Sequence, residues 1–450
     1  MPKEMKRREF LEKSMAGSAG IIAGASGILV PSCKSPNERI VLALIGAGSR
    51  GRQTIISCCR GNENVSVKTV CDVNDLNSAR TADPIEKELG YKPGVTRYMK
   101  EVFDDRDVNA VWISTPDHWH ALATVWACQA GKDVYVEKCP SHSVWEGRKM
   151  MEAARKYRRI VQVGYQNRSG SYNFAARDYI ASGKLGQVVH IRIYNLLNGK
   201  KWVPQPEAAV PATLDWDAWL GPAPYRAFTP DKISGWLYYY DYCPGILDDA
   251  SHQLDLVRMV MGDPGHPVSV YGQGRNHVWE SEQPTPELQS VTYDFEKFTV
   301  TCDSGNVTNY MSKTPEEIRM DPGRFPAWET NADRIEIYGT LGMMFLGRQG
   351  GGWQVYGPGE KVDAQSGGIH SDREHQVNFI ESVRNRKRPN SPIDNAHKSA
   401  VLVHLANIAC RTGNRQLVFD GEKERFVGNE EANKLLKDIC RGNYMIPEKV

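Results

Sequence analysis

The first part of the chain alternates short apolar runs with segments of helical spacing. The runs lie at residues 40–45, 65–71, 110–114 and 133–136. Short, mostly apolar runs are typical of strands buried on both faces of a parallel sheet. Because strands and helices alternate, we predict a doubly wound parallel sheet for residues 38–164.

Beyond residue 164 the pattern changes to longer strands with few helices between them. This spacing indicates a mostly antiparallel open sheet, which leaves one face free for a substrate or a second subunit. Two helices are expected after it, at residues 370–388 and 396–412. We therefore predict an α/β chain whose residues 165–450 form a C-terminal α+β domain. The predicted strands lie at residues 188–195, 268–274, 290–295, 298–302 and 334–338.

Residues 1–33 have the pattern of an export signal. Arg7 and Arg8 precede a mildly apolar stretch, residues 15–30, that several glycines interrupt. A twin arginine before such a stretch is typical of a Tat signal, and the stretch is too weakly apolar for a spanning helix. We expect a periplasmic protein. The setting of Cys33 resembles a lipobox, so a lipid anchor there, cleavage nearby and no processing all stay open.

The composition narrows the classes of protein that the chain can represent. Its 450 residues carry 56 Lys and Arg against 54 Asp and Glu, for a net charge of +2. This balance gives no electrostatic case for a nucleic-acid partner. The ten cysteines include no C-x-x-C pair, so neither a disulfide framework nor a zinc ribbon is indicated. The length suggests two or three domains.

A glycine-rich loop follows the first strand. Gly46, Gly48 and Gly51 form G-x-G-x-x-G before a helix predicted at residues 52–59. The first glycine permits a tight turn, the second lets a pyrophosphate approach, and the third lets helix and strand pack closely. Asp72 ends the next strand, where an acid can accept hydrogen bonds from both ribose hydroxyls. We expect a Rossmann-type site that prefers NAD to NADP, since Asp72 would repel a 2′-phosphate; a capping or turn role for Asp72 stays open.

Later strand ends bring further polar residues to the same edge of the sheet. Thr115, Pro116, His118 and His120 follow the strand at 110–114, and the strand at 133–136 ends in Glu137 and Lys138. Ligands of doubly wound sheets collect outside the carboxyl ends of the strands. The two histidines are expected to wall the nicotinamide. Metal ligation by them is the less favoured alternative, because no Cys or Glu completes a set locally.

These motifs resemble those of the Gfo/Idh/MocA family, which includes glucose–fructose oxidoreductase and inositol dehydrogenase. The resemblance also covers Asp248-x-x-x-His252 and implies that Lys138, Asp248 and His252 are catalytic. Segments 214–222 and 375–389 look like the exported branch of the family. Glu137-Lys138-Cys139-Pro140 departs from the family's Glu-Lys-Pro by one inserted residue. The cofactor contacts expected in all are Gly46, Gly48, Ser49, Arg50, Gly51, Asp72, Thr115, Pro116, His118, His120, Glu137, Lys138 and Asn167.

Three residues of the second motif, Asp248, His252 and Asp255, lie on one stripe of a predicted helix. We expect His252 to take a hydroxyl proton, because an imidazole titrates near neutrality. Lys138 would stabilise the negative charge that develops on the reacting oxygen, and Asp248 would orient His252 or bind a neighbouring hydroxyl. A metal on this stripe is disfavoured because it would lie beside the Lys138 cation. A purely structural role for His252 stays open.

The segment 195–242 is rich in aromatic residues and has little periodicity. We interpret it as a loop over the active site, in which Trp236 and Tyr238 contact the apolar faces of a sugar ring. Ordinary packing of a long loop is the alternative for each single aromatic residue. The expected substrate contacts are thus Lys138, Trp236, Tyr238, Asp248 and His252.

Location and cofactor together narrow the function. No free NAD pool exists outside the cytoplasm, so an exported enzyme would keep its NAD bound. The first hypothesis is a sugar oxidoreductase that oxidises a ring hydroxyl. The alternatives are an NAD-dependent glycosidase that works by oxidation, elimination and return of the hydride, and a non-catalytic glycan-binding protein. A homodimer or homotetramer is expected through the open sheet.

Overall fold

The computed structural model describes residues 39–450 apart from 198, 200–201, 246, 279–284, 307 and 360. The predicted export signal at residues 1–33, with Cys33, therefore lies outside the described residues. Among the described helices, none is both long and apolar enough to cross a membrane.

Six parallel strands form the first sheet, in the order β3-β2-β1-β4-β5-β6. The chain winds outward from β1 in both directions, so the predicted doubly wound sheet is confirmed. Its strands are β1 Ile40–Ile45, β2 Val65–Cys71, β3 Gly94–Thr96, β4 Ala110–Ile113, β5 Asp133–Val136 and β6 Val161–Val163. Its helices are α1 Ser49–Gly61, α2 Asp75–Leu89, α3 Met99–Asp104, α4 Asp117–Gln129 and α5 Val144–Lys156.

Ten strands form the second sheet, in the order β14-β13-β12-β11-β7-β10-β9-β8-β15-β16. Neighbouring strands pair antiparallel except β7 and β10, which are parallel. The predicted, mostly antiparallel sheet is confirmed, and β12 to β16 extend it beyond the five predicted strands. The strands are β7 Val188–Leu196, β8 Ser269–Arg275, β9 Leu288–Phe295, β10 Phe298–Gly305, β11 Arg334–Gly339, β12 Met343–Gly347, β13 Trp353–Tyr356, β14 Val362–Ser366, β15 Gln416–Asp420 and β16 Arg425–Phe426.

The remaining helices fall into two groups. Two long helices, α9 Leu247–Val260 and α12 Ile393–Arg411, are buried along most of their length and pack against each other beside the second sheet. The others are α6 Ser171–Ala181, α7 Trp216–Leu220, α8 Pro230–Ser234, α10 Glu316–Arg319, α11 Asp372–Asn385 and α13 Glu430–Lys434, with 3₁₀ helices at Gln166–Ser169, Trp236–Tyr238 and Trp328–Thr330.

The core of the first sheet takes in side chains from distant parts of the chain. Trp112 of β4 stacks on Tyr135 of β5 with ring centroids 3.7 Å apart, and Phe379 of α11 packs edge-on against both rings. On the other face, Ile446 and Val450 from the end of the chain join the core. Both faces are therefore covered, as buried parallel strands require.

Arg168 ties the 3₁₀ helix after β6 to α9. Its guanidinium contacts the Asp255 carboxylate at 2.8 Å and that of Asp263 at 2.7 Å, and Asp255 is fully buried. Asp248, His252 and Asp255 are predicted to share one stripe of helix α9. Asp255 is set apart from the other two because its carboxylate contacts Arg168. The pair fixes α9, which carries Asp248 and His252, against the end of the first sheet.

Arg168→Met should lower the free energy of unfolding by about 3 kcal/mol, because it leaves Asp255 buried without its cation. Unfolding in urea measures the effect. Arg177→Met is the matched control, since Arg177 pairs with Asp178 at the surface, where an ion pair contributes less than about 1 kcal/mol. Equal losses in the two variants would contradict the assigned role of Arg168.

Candidate active site

A cavity of about 530 Å³ lies at the carboxyl ends of the parallel strands and extends to α9. This is the edge at which the sequence analysis places the cofactor. Most of the predicted site residues line it. They are Gly46, Gly48, Ser49, Arg50, Asp72, Thr115, Pro116, Glu137, Lys138, Asn167, Trp236 and His252.

The glycine loop leaves room on its cavity side. Gly46 has φ +87°, and a Cβ there would lie 2.6 Å from the backbone of Ser114, so this turn requires glycine. A Cβ on Gly51 would clash with the Gly46 carbonyl, whereas a Cβ on Gly48 would meet nothing within 4 Å. In the described chain no side chain caps α1, which starts at Ser49. The first backbone N–H groups of α1 are therefore available to an anion.

The Asp72 carboxylate is held in place at the end of β2. It accepts hydrogen bonds from the backbone N–H of Ala47 at 2.7 Å and of Asn74 at 2.8 Å. Burial raises the pKa of Asp72, and these hydrogen bonds oppose the shift. Nearby, the buried hydroxyls of Ser114 and Thr115 have no hydrogen-bond partner among the described residues. The glycine loop, the carboxylate and these two hydroxyls together fit a dinucleotide.

Arg50 is engaged by two carboxylates. Its Nε donates to Glu137 at 2.9 Å, and its terminal nitrogens donate to Asp372 at 3.2 Å. Burial raises the pKa of Glu137, and the Arg50 cation opposes the shift. Arg50 lines the cavity with its charge compensated, so the α1 backbone is the stronger candidate for holding phosphate.

Two predicted cofactor contacts, His118 and His120, lie behind the cavity wall. His118 Nε2 lies 3.1 Å from the Trp219 carbonyl oxygen, and burial lowers the pKa of His118 to about 3. The ring nitrogens of His120 lie 2.7 Å from the Cys139 carbonyl oxygen and 2.8 Å from that of Thr115. His120 thus joins the loop after β4 to the loop after β5. Gly51, Tyr238 and Asp248 also lie outside the residues that line the cavity.

Lys138 and Asp248 form a buried ion pair where the parallel sheet meets α9. The Lys138 Nζ contacts Asp248 Oδ2. Burial disfavours the ammonium, but the Asp248 carboxylate opposes it most strongly, and the pKa of Lys138 is raised above its usual value. Lys138 is therefore a permanent cation at the cavity wall. Asp248 thus contacts Lys138, and its predicted role was to orient His252 or to bind a neighbouring hydroxyl.

The His252 ring lies on the cavity wall, edge-on to Tyr165 with ring centroids 6.0 Å apart. Burial and the cations of Arg348 and Lys138 lower the pKa of His252 well below its usual value. Arg348 is itself held by Asp249, with two contacts at 2.9 and 3.1 Å. Burial would raise the pKa of Asp249, but the Arg348 guanidinium outweighs it and holds that pKa well below its usual range.

The sequence analysis missed several cavity residues. Arg348 and Lys313 reach the cavity from the second sheet and the loop before α10, and no local motif marks either of them. Asp117 also lines the cavity and lies between Pro116 and His118, two of the predicted cofactor contacts. Asn77 lies in the first turn of α2, the helix that follows Asp72, and could have been predicted from that position.

Two family models match the chain. Residues 40–165 match an oxidoreductase family model for an NAD-binding Rossmann fold. Residues 177–301 and 362–446 match the C-terminal alpha/beta domain of the same oxidoreductase family. The two matches together cover most of the chain.

Individual known proteins are more distant. The chain is 27% identical over 255 residues to 1,5-anhydro-D-fructose reductase of Ensifer adhaerens, covering 55% of this chain and 65% of the relative. It is 24% identical over 204 residues to alpha-N-acetylgalactosaminidase of Shewanella oneidensis, covering 41% and 44%. The chain thus spans less than two thirds of both relatives.

A solved structure shares the fold over a greater length. The crystal structure of aldose-aldose oxidoreductase from Caulobacter crescentus, complexed with glycerol, superposes with a TM-score of 0.62 at 16% identity. The match covers 85% of this chain and 100% of that protein. At this identity the likeness establishes the fold alone.

Gly48→Val should abolish nucleotide binding while leaving the fold intact. The added side chain meets no protein atom at its Cβ, but it occupies the side of the loop that a pyrophosphate would approach. Nucleotide content after denaturation and the melting temperature of the nucleotide-free protein measure the two effects. Gly51→Val is the contrasting variant and should destabilise the fold itself. Full nucleotide content in Gly48→Val would contradict this location of the site.

Proposed function

Because the chain belongs to the Gfo/Idh/MocA family of NAD-binding oxidoreductases, we propose that it oxidises or reduces a hydroxyl carbon of a sugar or glycoside. The observation that carries the proposal is that the Lys138 cation, which is paired with Asp248, and the His252 ring both line the cavity that continues from the glycine loop. The names of the Ensifer and Caulobacter relatives, both sugar oxidoreductases, favour a sugar over other alcohols.

The residues of the cavity divide the proposed chemistry between them. The chemistry that NAD supplies when bound is the reversible acceptance of a hydride from a carbon that bears a hydroxyl. Lys138 donates a hydrogen bond to the oxygen on that carbon, and its fixed charge stabilises the negative charge that develops there. His252 is unprotonated at neutral pH and takes the hydroxyl proton.

Aromatic and charged side chains form the substrate end of the cavity. Trp219 and Trp236 line it from the segment between β7 and α9, and Arg348 and Lys313 line it from the other side. Aromatic faces suit the apolar faces of sugar rings, while the fixed cations suit ring hydroxyls. This combination supports a carbohydrate substrate.

A crossing segment, residues 211–220, lies over the end of β2 and favours retention of the cofactor. The Asp75 N–H donates to Thr213 O and the Asp215 N–H donates to Val73 O, both at 2.9 Å. Leu214 and Trp219 of the segment line the cavity that Asp72 also lines. Release of a bound dinucleotide past this segment would require its hydrogen bonds to open, so we propose slow exchange. We also propose NAD rather than NADP, because the Asp72 carboxylate would repel a 2′-phosphate.

NAD that stays bound must be reoxidised on the protein after it has accepted a hydride. A second substrate that takes the hydride would do this, and the name of the aldose-aldose oxidoreductase indicates such a pair of sugars in that relative. The proposal includes export by the Tat pathway, which makes retention necessary. Mass spectrometry of the native N-terminus decides whether Cys33 carries a lipid or a free thiol.

The test of this proposal is to purify the mature protein without added cofactor, denature it and identify the nucleotide released. We expect one NAD per chain, and its conversion to NADH after incubation with one member of a panel of sugars. Absence of any nucleotide would overturn retention. Bound NAD that no sugar or glycoside reduces would overturn the oxidoreductase assignment.

A redox-neutral glycosidase is the second candidate, because a relative is an alpha-N-acetylgalactosaminidase. In that case an oxidised sugar loses its aglycone and the hydride then returns. Release of free sugar from a glycoside with no net change in NADH absorbance would favour this candidate. Accumulation of NADH with one sugar would favour the dehydrogenase.

Lys138→Ala and His252→Ala should each reduce turnover by about a hundredfold or more, because each removes a group that acts on the reacting hydroxyl. Reduction of the bound NAD by the active sugar measures turnover. Lys100→Ala is the control, since Lys100 lies at the surface and pairs with Asp104. Near-normal turnover in variants that retain NAD and melting temperature would reject these roles.

The rate of substrate oxidation should stay constant from about pH 7 down to pH 6, because a lowered pKa keeps His252 unprotonated below the usual range of about 6.5. Single-turnover reduction of bound NAD measures this rate. Arg348→Gln removes a nearby cation, so the acid limb should move to higher pH. A wild-type limb near pH 6.5 would contradict the lowered pKa of His252, and a limb that Arg348→Gln leaves unmoved would contradict its assignment as the base.

A further inference from the structure

Asp117, which lines the cavity, and Asp248, which lies outside the lining residues, bring two carboxyl groups together. Asp117 begins α4 and is 1% exposed, as is Asp248. Both oxygens of Asp117 and the Oδ1 of Asp248 lack hydrogen-bond partners among the described residues. An oxygen of each carboxyl and the Cys243 sulfur all lie within 4.8 Å of one another.

Two buried acceptors that face each other become a donor and an acceptor when one proton lies between them. Without that proton, two negative charges would adjoin in a site with almost no contact with solvent. We propose that Asp117 is a neutral carboxylic acid whose O–H donates to Asp248 and positions that carboxylate against Lys138. Asp117 is thus a positioning residue that acts on the reaction through the other two side chains. Its kinetic consequences rest on the proposed function, whereas its protonation does not.

The surroundings place the proton on Asp117 and not on Asp248. Asp248 contacts the Lys138 ammonium directly, which favours its ionised form. Burial and the charge of Asp248 raise the pKa of Asp117 well above its usual value. The groups that face Asp117 from its own helix and from the neighbouring elements are His120, Lys138, Cys139, Cys243 and Asp248.

A metal ion is the other occupant that two carboxylates and a thiol would suit. Two observations oppose it. The Cys243 sulfur lies 3.5 Å from the Gly245 carbonyl oxygen, and burial raises the pKa of this thiol well above its usual value, which favours the S–H over the thiolate. A divalent cation would also lie beside the Lys138 ammonium, which already occupies Asp248 Oδ2.

One proton on Asp117 leaves Lys138, Asp248 and Asp117 with no net charge. Loss of that proton at high pH adds a second negative charge beside Lys138 and draws its ammonium away from the substrate oxygen. The alkaline limb of turnover in the wild type therefore reports on Asp117.

Asp117→Asn and Asp117→Ala separate a neutral donor from a carboxylate. The amide of Asn keeps an N–H that can donate to Asp248, so turnover should stay within about threefold of the wild type and the alkaline limb should disappear. Alanine removes the donor and should lower kcat by about ten- to a hundredfold with KM little changed. Asp178→Asn, at an exposed site, is the control. Equal loss of kcat in the Asn and Ala variants, with an unchanged alkaline limb, would overturn the proposal.

Infrared spectroscopy tests the proton without turnover. The difference spectrum of wild type against Asp117→Asn at neutral pH should show loss of a protonated carboxyl C=O band, and Asp178→Asn should show loss of a carboxylate band. Loss of a carboxylate band in Asp117→Asn would overturn the proposal, as would a stoichiometric metal ion in the wild type that this variant lacks. The infrared result stands even if no sugar is turned over, so it can fail independently of the proposed function.

Discussion

The buried charge of Lys138 is the constraint around which the cavity is organised. An ammonium group in a nearly dry site requires a compensating charge, and Asp248 provides it from α9. The loop after β5 and the first turn of α9 must therefore stay together. This arrangement places one end of the parallel sheet against a helix of the second layer, and the cavity lies between them.

The same principle recurs around this pair. Asp255 and Asp263 hold Arg168, Glu137 and Asp372 hold Arg50, and Asp249 holds Arg348. In each case a guanidinium joins segments that are far apart in the sequence, and those of Arg168 and Arg348 are buried. These pairs fix how the second layer meets the first sheet, while the apolar cores fix each layer internally.

Local pattern was enough to predict the first sheet, because fully buried strands leave a continuous apolar signal and the glycine loop has a fixed position after β1. It was also enough for β7 to β11 of the second sheet. Strands β12 to β16 escaped because each has five residues or fewer, which is too short for an alternating pattern to stand out. The site was predicted where a motif carries the residue, as for Lys138 and His252. Arg348, Lys313 and the pairing of Asp248 escaped because only the tertiary fold brings those groups together.

The crossing segment at residues 211–220 also bears on when a nucleotide can enter the site during folding. This segment is hydrogen-bonded to the loop just after β2, and under the slow exchange proposed above it would obstruct the path of a nucleotide to the site once the chain has folded. A dinucleotide would then enter most readily before this segment docks, so its arrival and the last stage of folding become one event. The share of molecules that carry a nucleotide would then depend on the nucleotide concentration in the compartment where the chain folds. A molecule that folded without a nucleotide would remain without one.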